Sequence, residues 1–180
     1  MSVDYPWYST INGNDLEQGD ILRDYPVFFN KPYKFPDNPH EDLPEAEIEV
    51  MRADFIVATQ SCDLAHTKVD TVILCPILNL EDIKDGFGKN TKEINKRLES
   101  IRQGKEPAFH LLSCNDEPEI EFTMVMFKQI YTTSKETLED FVEKVGDRVR
   151  LLPPYREHLS QAFARYFMRV GLPEDIPSFV

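Results

Sequence analysis

The stretch that determines the fold class is VMRADFIVATQSCDLAHTKVDTVILCPIL, from Val50 to Leu78. Two runs within it, residues 54–59 and 69–77, are rich in β-branched and aromatic side chains, which favour strands. The residues between them, 60–68, are mostly polar. This pattern predicts two strands that pair as a hairpin with a long polar tip, and an antiparallel sheet built outward from them.

Strand patterns continue on both sides of this hairpin. Gly19-Asp20 precedes a predicted strand at 21–29 that is interrupted near Pro26. Residues 30–45 carry four prolines among acidic residues and are predicted to form a long exposed loop, because proline removes a backbone donor. Further along the chain, 109–112 is a predicted short strand and 120–131 is the longest strand candidate.

Three helices are predicted after residue 80. Ile94, Leu98 and Ile101 recur at helical spacing and indicate a short amphipathic helix within an insertion at 81–105. Ser134 is a suitable N-cap for a helix over 135–145. Pro153-Pro154 opens the last helix, which Gly171 and Pro173 are expected to stop.

These elements predict one α+β domain over residues 1–180. Residues 1–18 form an irregular N-terminal arm, 19–131 form the β-rich body with the insertion at 81–105, and 132–180 carry the two C-terminal helices. A chain of 180 residues is long enough to bury a core. A hydrophobic fraction of 41% argues against general disorder.

The charge of the chain is strongly negative but uneven. The formal net charge is −12, and residues 1–49 contain eleven acidic and three basic residues. Residues 147–170 reverse this balance, with five arginines against two acids. The acidic part repels nucleic acid at long range and suits a basic partner protein, or the arginine-bearing face of a second copy. A merely solubilising surface is the alternative.

Compartment and redox state are indicated by what the sequence lacks. Its longest apolar runs fall short of the roughly 20 residues that a membrane span needs, so no membrane association is expected. The first residues lack the features of a signal peptide. The three cysteines, Cys62, Cys75 and Cys114, are too few for a disulfide framework. A cytoplasmic protein is therefore predicted.

The order of elements resembles the MazF/PemK family of toxins. The resemblance is carried by Gly19-Asp20-Ile21-Leu22, by residues 51–59, by 72–77 with its proline, and by 127–133 ahead of a helix. It implies a small SH3-like, strongly bent antiparallel β-barrel, to which this chain adds an inserted helix and two C-terminal helices. It further implies a bacterial toxin–antitoxin or defence setting, a protein partner, and pairing as a homodimer.

The same resemblance assigns one catalytic residue. Active members cleave RNA with an arginine and a downstream hydroxyl residue, and Arg52 matches the arginine by position. Ile77-Leu78-Asn79 stands where the hydroxyl residue is expected. A second resemblance links Thr59-Gln60-Ser61-Cys62-Asp63-Leu64, together with residues 154–157 and 165–171, to a bacterial family of no established activity.

Three other sets of residues are chemical candidates. Cys62, beside Asp63, is a candidate nucleophile if His66 or His110 serves as its base; alternatively, Ser61 and Asp63 cap a turn above a packed Cys62. Cys62-x-x-x-His66 and His110-x-x-x-Cys114 would supply four zinc ligands if the two segments meet, although such residues are more often ordinary core or surface groups. The sequence carries no motif for any other cofactor.

The third set lies in the last helix. Arg156, Arg165 and Arg169, with Tyr155, are able to grip phosphates or a partner and to stack on bases. The alternative is ion pairing with Glu157, with the acidic N-terminal third, or with a second copy. The leading hypothesis is a catalytically degenerate MazF-like barrel that acts as a protein-interaction and regulatory module. The rival hypotheses are an active endoribonuclease on single-stranded RNA, and a zinc-binding module.

Overall fold

The computed structural model describes residues 5–38, 40, 45, 47–66 and 68–168. Within these residues the chain forms an α+β fold with an antiparallel sheet. The strands are β1 Tyr8–Ile11, β2 Asp20–Asn30, β3 Ile48–Val57, β4 Thr71–Asn79, β5 Phe109–Leu112, β6 Thr123–Met126, β7 Tyr131–Ser134 and β8 Arg148–Leu151. The helices are α1 Ser61–Ala65, α2 Leu80–Ile83, α3 Thr91–Arg102, α4 Lys135–Val145 and α5 Tyr155–Phe167, with a 3₁₀ turn at Lys84–Phe87.

The predicted hairpin of β3 and β4 is confirmed and lies at the centre of the sheet. Its register pairs Phe55 with Pro76 and Val57 with Leu74. Phe55 and Val57 pack into one buried cluster, whereas Ile56 between them packs into the other. Alternate side chains of a strand point to opposite faces, so both faces of this hairpin are covered. The polar tip of the hairpin contains the short helix α1.

The strands are ordered β1-β8-β2-β3-β4-β6-β5, and β7 also pairs with β4. The predicted long strand at 120–131 is divided into β6 and β7, which lie along successive parts of β4. Ile77 pairs with Val125 and Leu74 with Tyr131, so the register shifts across the turn at 127–130. That shift bends the sheet and lets buried Phe127 enter the core.

The sheet is open, although the family resemblance implies a barrel. Among the described residues no strand pairing joins the end strands β1 and β5, each only four residues long. The Tyr8 hydroxyl nevertheless donates to the Ser113 carbonyl over 2.7 Å and bridges β1 to the residue after β5. The sheet is thus curled enough for a side chain, but not a ladder of backbone bonds, to span the gap.

Two details of the N-terminal third differ from prediction. Residues 1–18 were expected to be irregular, but β1 lies there and pairs with β8. β2 continues through Pro26, with its irregularity between Leu22 and Tyr25. Strand β8 pairs with β2 only at Asp20 and Ile21, so Pro26 lies in a part of β2 that is paired on one side only, where proline is tolerated.

The predicted helices are present. Asn90 and Ser134 cap α3 and α4 by accepting from the backbone N–H three residues on, over 3.1 Å in each case. α5 buries Leu159 and packs Phe163 on Phe127, with ring centroids 5.4 Å apart. Gly171 and Pro173 lie outside the described residues. In the described part of the chain, every helix is too short or too polar to cross a bilayer.

Candidate functional sites

A buried carboxylate organises one edge of the sheet. Asp20 is fully buried and accepts from Arg148 Nε over 3.0 Å and from Arg150 Nη2 over 3.0 Å. Arg148 also donates to the carbonyls of Gly13 and Asp15. Burying a carboxylate is costly unless it is paired and hydrogen-bonded, and both conditions are met here. The network ties residues 13–20 to β8.

Gly19 allows this close approach. Its φ is +90°, and a Cβ placed there would lie 3.0 Å from Leu151 Cβ. The Leu151 N–H donates to the Gly19 carbonyl over 3.0 Å. Both the left-handed conformation and the space favour glycine. In this chain, the Gly19-Asp20 pair therefore sets the contact between β2 and β8.

The network extends to the last helix through Glu17. Arg150 Nη1 lies 2.6 Å from Glu17 Oε1, and Arg156 Nη1 lies 2.5 Å from Glu17 Oε2. Arg156 also pairs with Glu157 over 3.2 Å. The predicted pairing of the arginine-rich segment with the acidic N-terminal third is thus confirmed for Arg156, and its guanidinium is already occupied.

The other residues of that segment lie in different surroundings. The Tyr155 ring stacks on Trp7, with centroids 3.6 Å apart and planes 8° from parallel, so that one ring face is covered. Arg165 is exposed and lies beside a cavity between α3, β5 and α5. Arg169 lies outside the described residues. The structure therefore does not bring Arg156, Arg165 and Tyr155 together as one phosphate-gripping surface.

A polar cleft of about 460 Å³ separates the hairpin tip from α5. The Ser61 hydroxyl accepts from the Gln18 N–H over 3.1 Å, which holds the start of α1 against the N-terminal segment. The cleft joins the two segments that carry the second resemblance, although they are far apart in sequence. It is lined by Gln18, Gln60, Ser61, Cys62, Arg156, Glu157, Ser160 and Gln161.

Cys62 is exposed in this cleft. Its sulfur lies 3.7 Å from Gln60 Oε1 and 3.7 Å from Asp63 Oδ1, and Asp63 also faces Lys68 over 3.8 Å. In the described part of the chain, no hydrogen bond joins Cys62 to a histidine. A cysteine nucleophile needs such a base beside it, so this arrangement does not assemble the predicted pair.

The four predicted zinc ligands lie as two pairs in separate parts of the fold. Cys62 lies in α1, His66 is the C-cap of that helix, His110 lies on β5 and exposed Cys114 follows β5. Over the described ranges, no three Cys, His, Asp or Glu side chains group as metal ligands. The convergence of the two segments that the zinc prediction requires is not found.

Arg52 lies on a two-stranded extension of the sheet. We call residues 25–30 of β2 and 48–53 of β3 the arm; the arm lies beyond the pairing of β2 with β8 and of β3 with β4. The Arg52 guanidinium donates to the Asp24 carbonyl over 3.0 Å and to Asp24 Oδ2 over 3.1 Å. On β4, Ile77 is buried and the Asn79 side chain caps α2. No hydroxyl side chain therefore stands at 77–79.

The two faces of the arm differ in chemistry. Cross-strand partners share a face. Phe28 pairs with Val50 and Asn30 with Ile48, and the exposed fractions of Phe28, Val50 and Ile48 are 65%, 57% and 66%. The opposite face carries Glu49, and Lys31 beside it pairs with both Glu47 and Glu49. The arm thus has one face with exposed apolar side chains, whereas its other face is buried in the core at Tyr25 and Val27 and charged at Glu49.

The fold and these sites define an α+β protein with a curled antiparallel sheet, a projecting arm and an ion-paired edge. None of the protein-family models matches the sequence. A search of curated proteins also finds no match.

Proposed function

We propose that this chain is a catalytically degenerate MazF-like module that binds a partner protein through the apolar face of the arm, in a bacterial defence or toxin–antitoxin system. The observation that carries the proposal is the joint exposure of Phe28, Ile48 and Val50 on one face. Burying a side chain of this kind contributes about 1.5–3 kcal/mol. Three on one surface therefore supply a substantial part of a binding energy.

The backbone of the arm supports the same role. Strands β8 and β4 leave the outer edges of the arm uncovered, so in the described residues it is a two-stranded ribbon. Buried Tyr25 and Val27 anchor one face of this ribbon in the core, and its open edges can accept additional strands. A partner that adds a strand or an apolar patch would complete the sheet.

Charge favours a basic partner. The opposite face of the arm carries Glu49, with Glu47 just beyond the arm, and the whole chain has a net charge of −12. A cationic protein is attracted to this surface at long range, whereas RNA and a second copy of the chain are repelled. The occupant we propose is therefore a basic protein with an apolar contact patch.

The surroundings of Arg52 support the absence of catalysis. Its guanidinium is paired with Asp24, and the hydroxyl residue that accompanies the arginine in active toxins is replaced by Ile77 and its neighbours. The active endoribonuclease is the alternative that the experiment tests.

The test uses the full chain and the protein products of the genes beside its own. Each product is co-expressed and purified with the chain, and affinity is measured by calorimetry at low and high salt. We expect one basic product to bind, more weakly at high salt, and the double variant F28S/V50S to lose at least about tenfold in affinity. V145S is the matched control, because Val145 is 52% exposed at the end of α4 and is not part of the arm.

Three results would overturn the proposal. The first is that none of the products binds. The second is that F28S/V50S binds as tightly as the wild type. The third is cleavage of single-stranded RNA by the purified chain that Arg52→Ala abolishes, which would establish the endoribonuclease instead.

A further inference from the structure

We propose that the cavity between α3, β5 and α5 binds a phosphate group, carried by a small monoester or as free phosphate. The cavity has a volume of about 270 Å³ and lies apart from the arm. It is lined by Ile101, Arg102, Gln103, Gly104, Pro107, Phe109, His110, His158, Gln161, Ala162 and Arg165.

The charge of this lining opposes that of the rest of the molecule. The chain contains 32 acidic and 20 basic residues, yet the lining has two arginines and two histidines and lacks a carboxylate. Its titratable groups come from all three elements: Arg102 from α3, His110 from β5, and His158 and Arg165 from α5. Such a concentration of cationic and N–H groups suits an anion.

The two arginines are not equivalent. Arg102 forms a bidentate pair with Glu99, at 2.6 Å for each contact, and so its charge is balanced. The Arg165 side chain has no ion pair or hydrogen bond to any described residue. It lies against Gly104, where a Cβ would be 3.2 Å from Arg165 Nη1. Arg165 is therefore the guanidinium available to a ligand.

The backbone carbonyls at the C-terminus of α3 are not free to repel an anion in the cavity. The last carbonyls of a helix are partly negative and would repel an anion if they were free. Here the carbonyls of Glu99, Ser100 and Ile101 accept from the N–H groups of Gln103, Lys105 and Gly104, respectively, over 2.8–3.0 Å. The side of the cavity formed by α3 therefore offers few free acceptors.

The histidine pair is held by packing. His110 stacks on Phe127 with ring centroids 6.3 Å apart, and His158 meets the Tyr155 ring edge-on at 6.2 Å. Burial, with a smaller contribution from the charge of His158, lowers the pKa of His110 to about 4. A bound anion beside His110 would favour its protonated form and so raise its pKa.

The size of the cavity limits the ligand. Pockets for drug-sized ligands begin at about 300 Å³, so this one suits a phosphate with a small attached group. Pro107, Phe109 and Ala162 supply an apolar wall beside the charged groups. That wall favours a monoester with a planar or apolar part over free phosphate.

The experiment follows the histidine resonances of the full chain by NMR at constant ionic strength. The probes are inorganic phosphate, sulfate, adenosine monophosphate and adenosine. We expect phosphate and the monophosphate to shift the His110 and His158 signals, and adenosine to leave them unchanged. Arg165→Gln should weaken binding about tenfold, as for the loss of one charge-assisted hydrogen bond. Arg23→Gln removes an exposed arginine elsewhere and should change nothing.

Sulfate keeps its charge across the neutral range and so isolates the titration of the protein. We expect it to bind more tightly at about pH 5.5 than at about pH 8, with proton uptake by His110. If adenosine monophosphate binds more tightly than phosphate, the ligand is a monoester, and if the two bind equally, it is free phosphate. Either result supports the site. Unshifted histidine signals with every anion, or equal affinity in Arg165→Gln, overturn it.

Discussion

Arg148 and Asp20 form an ion pair that is closed to solvent: their side chains are 3% and 0% exposed, and Arg148 Nε lies 3.0 Å from Asp20 Oδ2. The two residues join β8 to β2 across 128 positions of sequence. A buried pair contributes little net stability compared with an apolar pair of the same size. Removing one partner is nevertheless costly, because the other charge stays buried.

Asp20→Asn therefore tests the importance of this pair. The substitution keeps the size of the side chain but leaves Arg148 and Arg150 without their shared carboxylate. We expect the free energy of unfolding to fall by about 3–5 kcal/mol, as measured by urea denaturation.

The matched control is Asp24→Asn, which removes a carboxylate from the exposed pair with Arg52. An exposed pair contributes about 0–1 kcal/mol, so this variant should be nearly as stable as the wild type. Equal destabilisation by the two substitutions would show that the Asp20 network does not stabilise the sheet edge in the way described.

The burial of two phenylalanines distinguishes the surface of the arm from the core. Phe55 is fully buried between β2 and β4, and Phe55→Ala should cost about 3–5 kcal/mol by leaving a cavity. Phe28 is 65% exposed, and Phe28→Ala should change the unfolding free energy by less than about 0.5 kcal/mol. A large loss of stability in Phe28→Ala would mean that Phe28 is part of the core, not of a binding surface.

The three cysteines should differ in reactivity. Cys62 and Cys114 are exposed, whereas Cys75 is fully buried on β4, and burial raises the pKa of its thiol to about 12. The thiolate is the reactive form, so native protein should take up two equivalents of a maleimide or of Ellman's reagent rapidly. The third should react only in denaturant. Rapid reaction of Cys75 in the native protein would contradict its position in the core.

Much of the local structure could be predicted because its causes are local. The β-branched runs of the central hairpin and the capping side chains Asn90 and Ser134 are short-range signals, and the elements that they predict are present. Strand β1 was missed because its pairing partner, β8, lies at the other end of the chain. The open sheet was missed because closure depends on the lengths of end strands that sequence patterns do not fix.

The candidate sites show the same contrast between local signals, which the sequence reveals, and long-range contacts, which it does not. The uneven charge indicated that the arginine-rich segment pairs with the acidic third, but not that Glu17 accepts from Arg156. The proposed phosphate site escaped detection because His158, Gln161 and Arg165 share one face of α5, and only the fold brings that face beside His110 and the end of α3. Residues of a site that come from three elements leave no spacing pattern in the sequence.

The pH dependence of stability tests the environment of His110. Its pKa is about 4 in the folded state against 6.5 for an unburied histidine, so the unfolded chain binds more protons between these values. The stabilising contribution of neutral His110 is fully present above about pH 6.5 and is lost as the pH falls towards 4. We expect protonation of His110 to lower the unfolding free energy by up to about 3 kcal/mol, as measured by urea denaturation at successive pH values.

The His110→Asn variant separates the effect of His110 from that of the carboxylates, because the carboxylates titrate in both the wild type and the variant. The variant cannot take up the proton, so its stability should decline less between pH 6.5 and 4, and the two curves should converge at acid pH. Saturating sulfate should flatten the wild-type curve more than that of the variant, because an anion beside His110 raises its folded-state pKa. Parallel curves for wild type and variant would show that His110 is not held neutral in the folded protein.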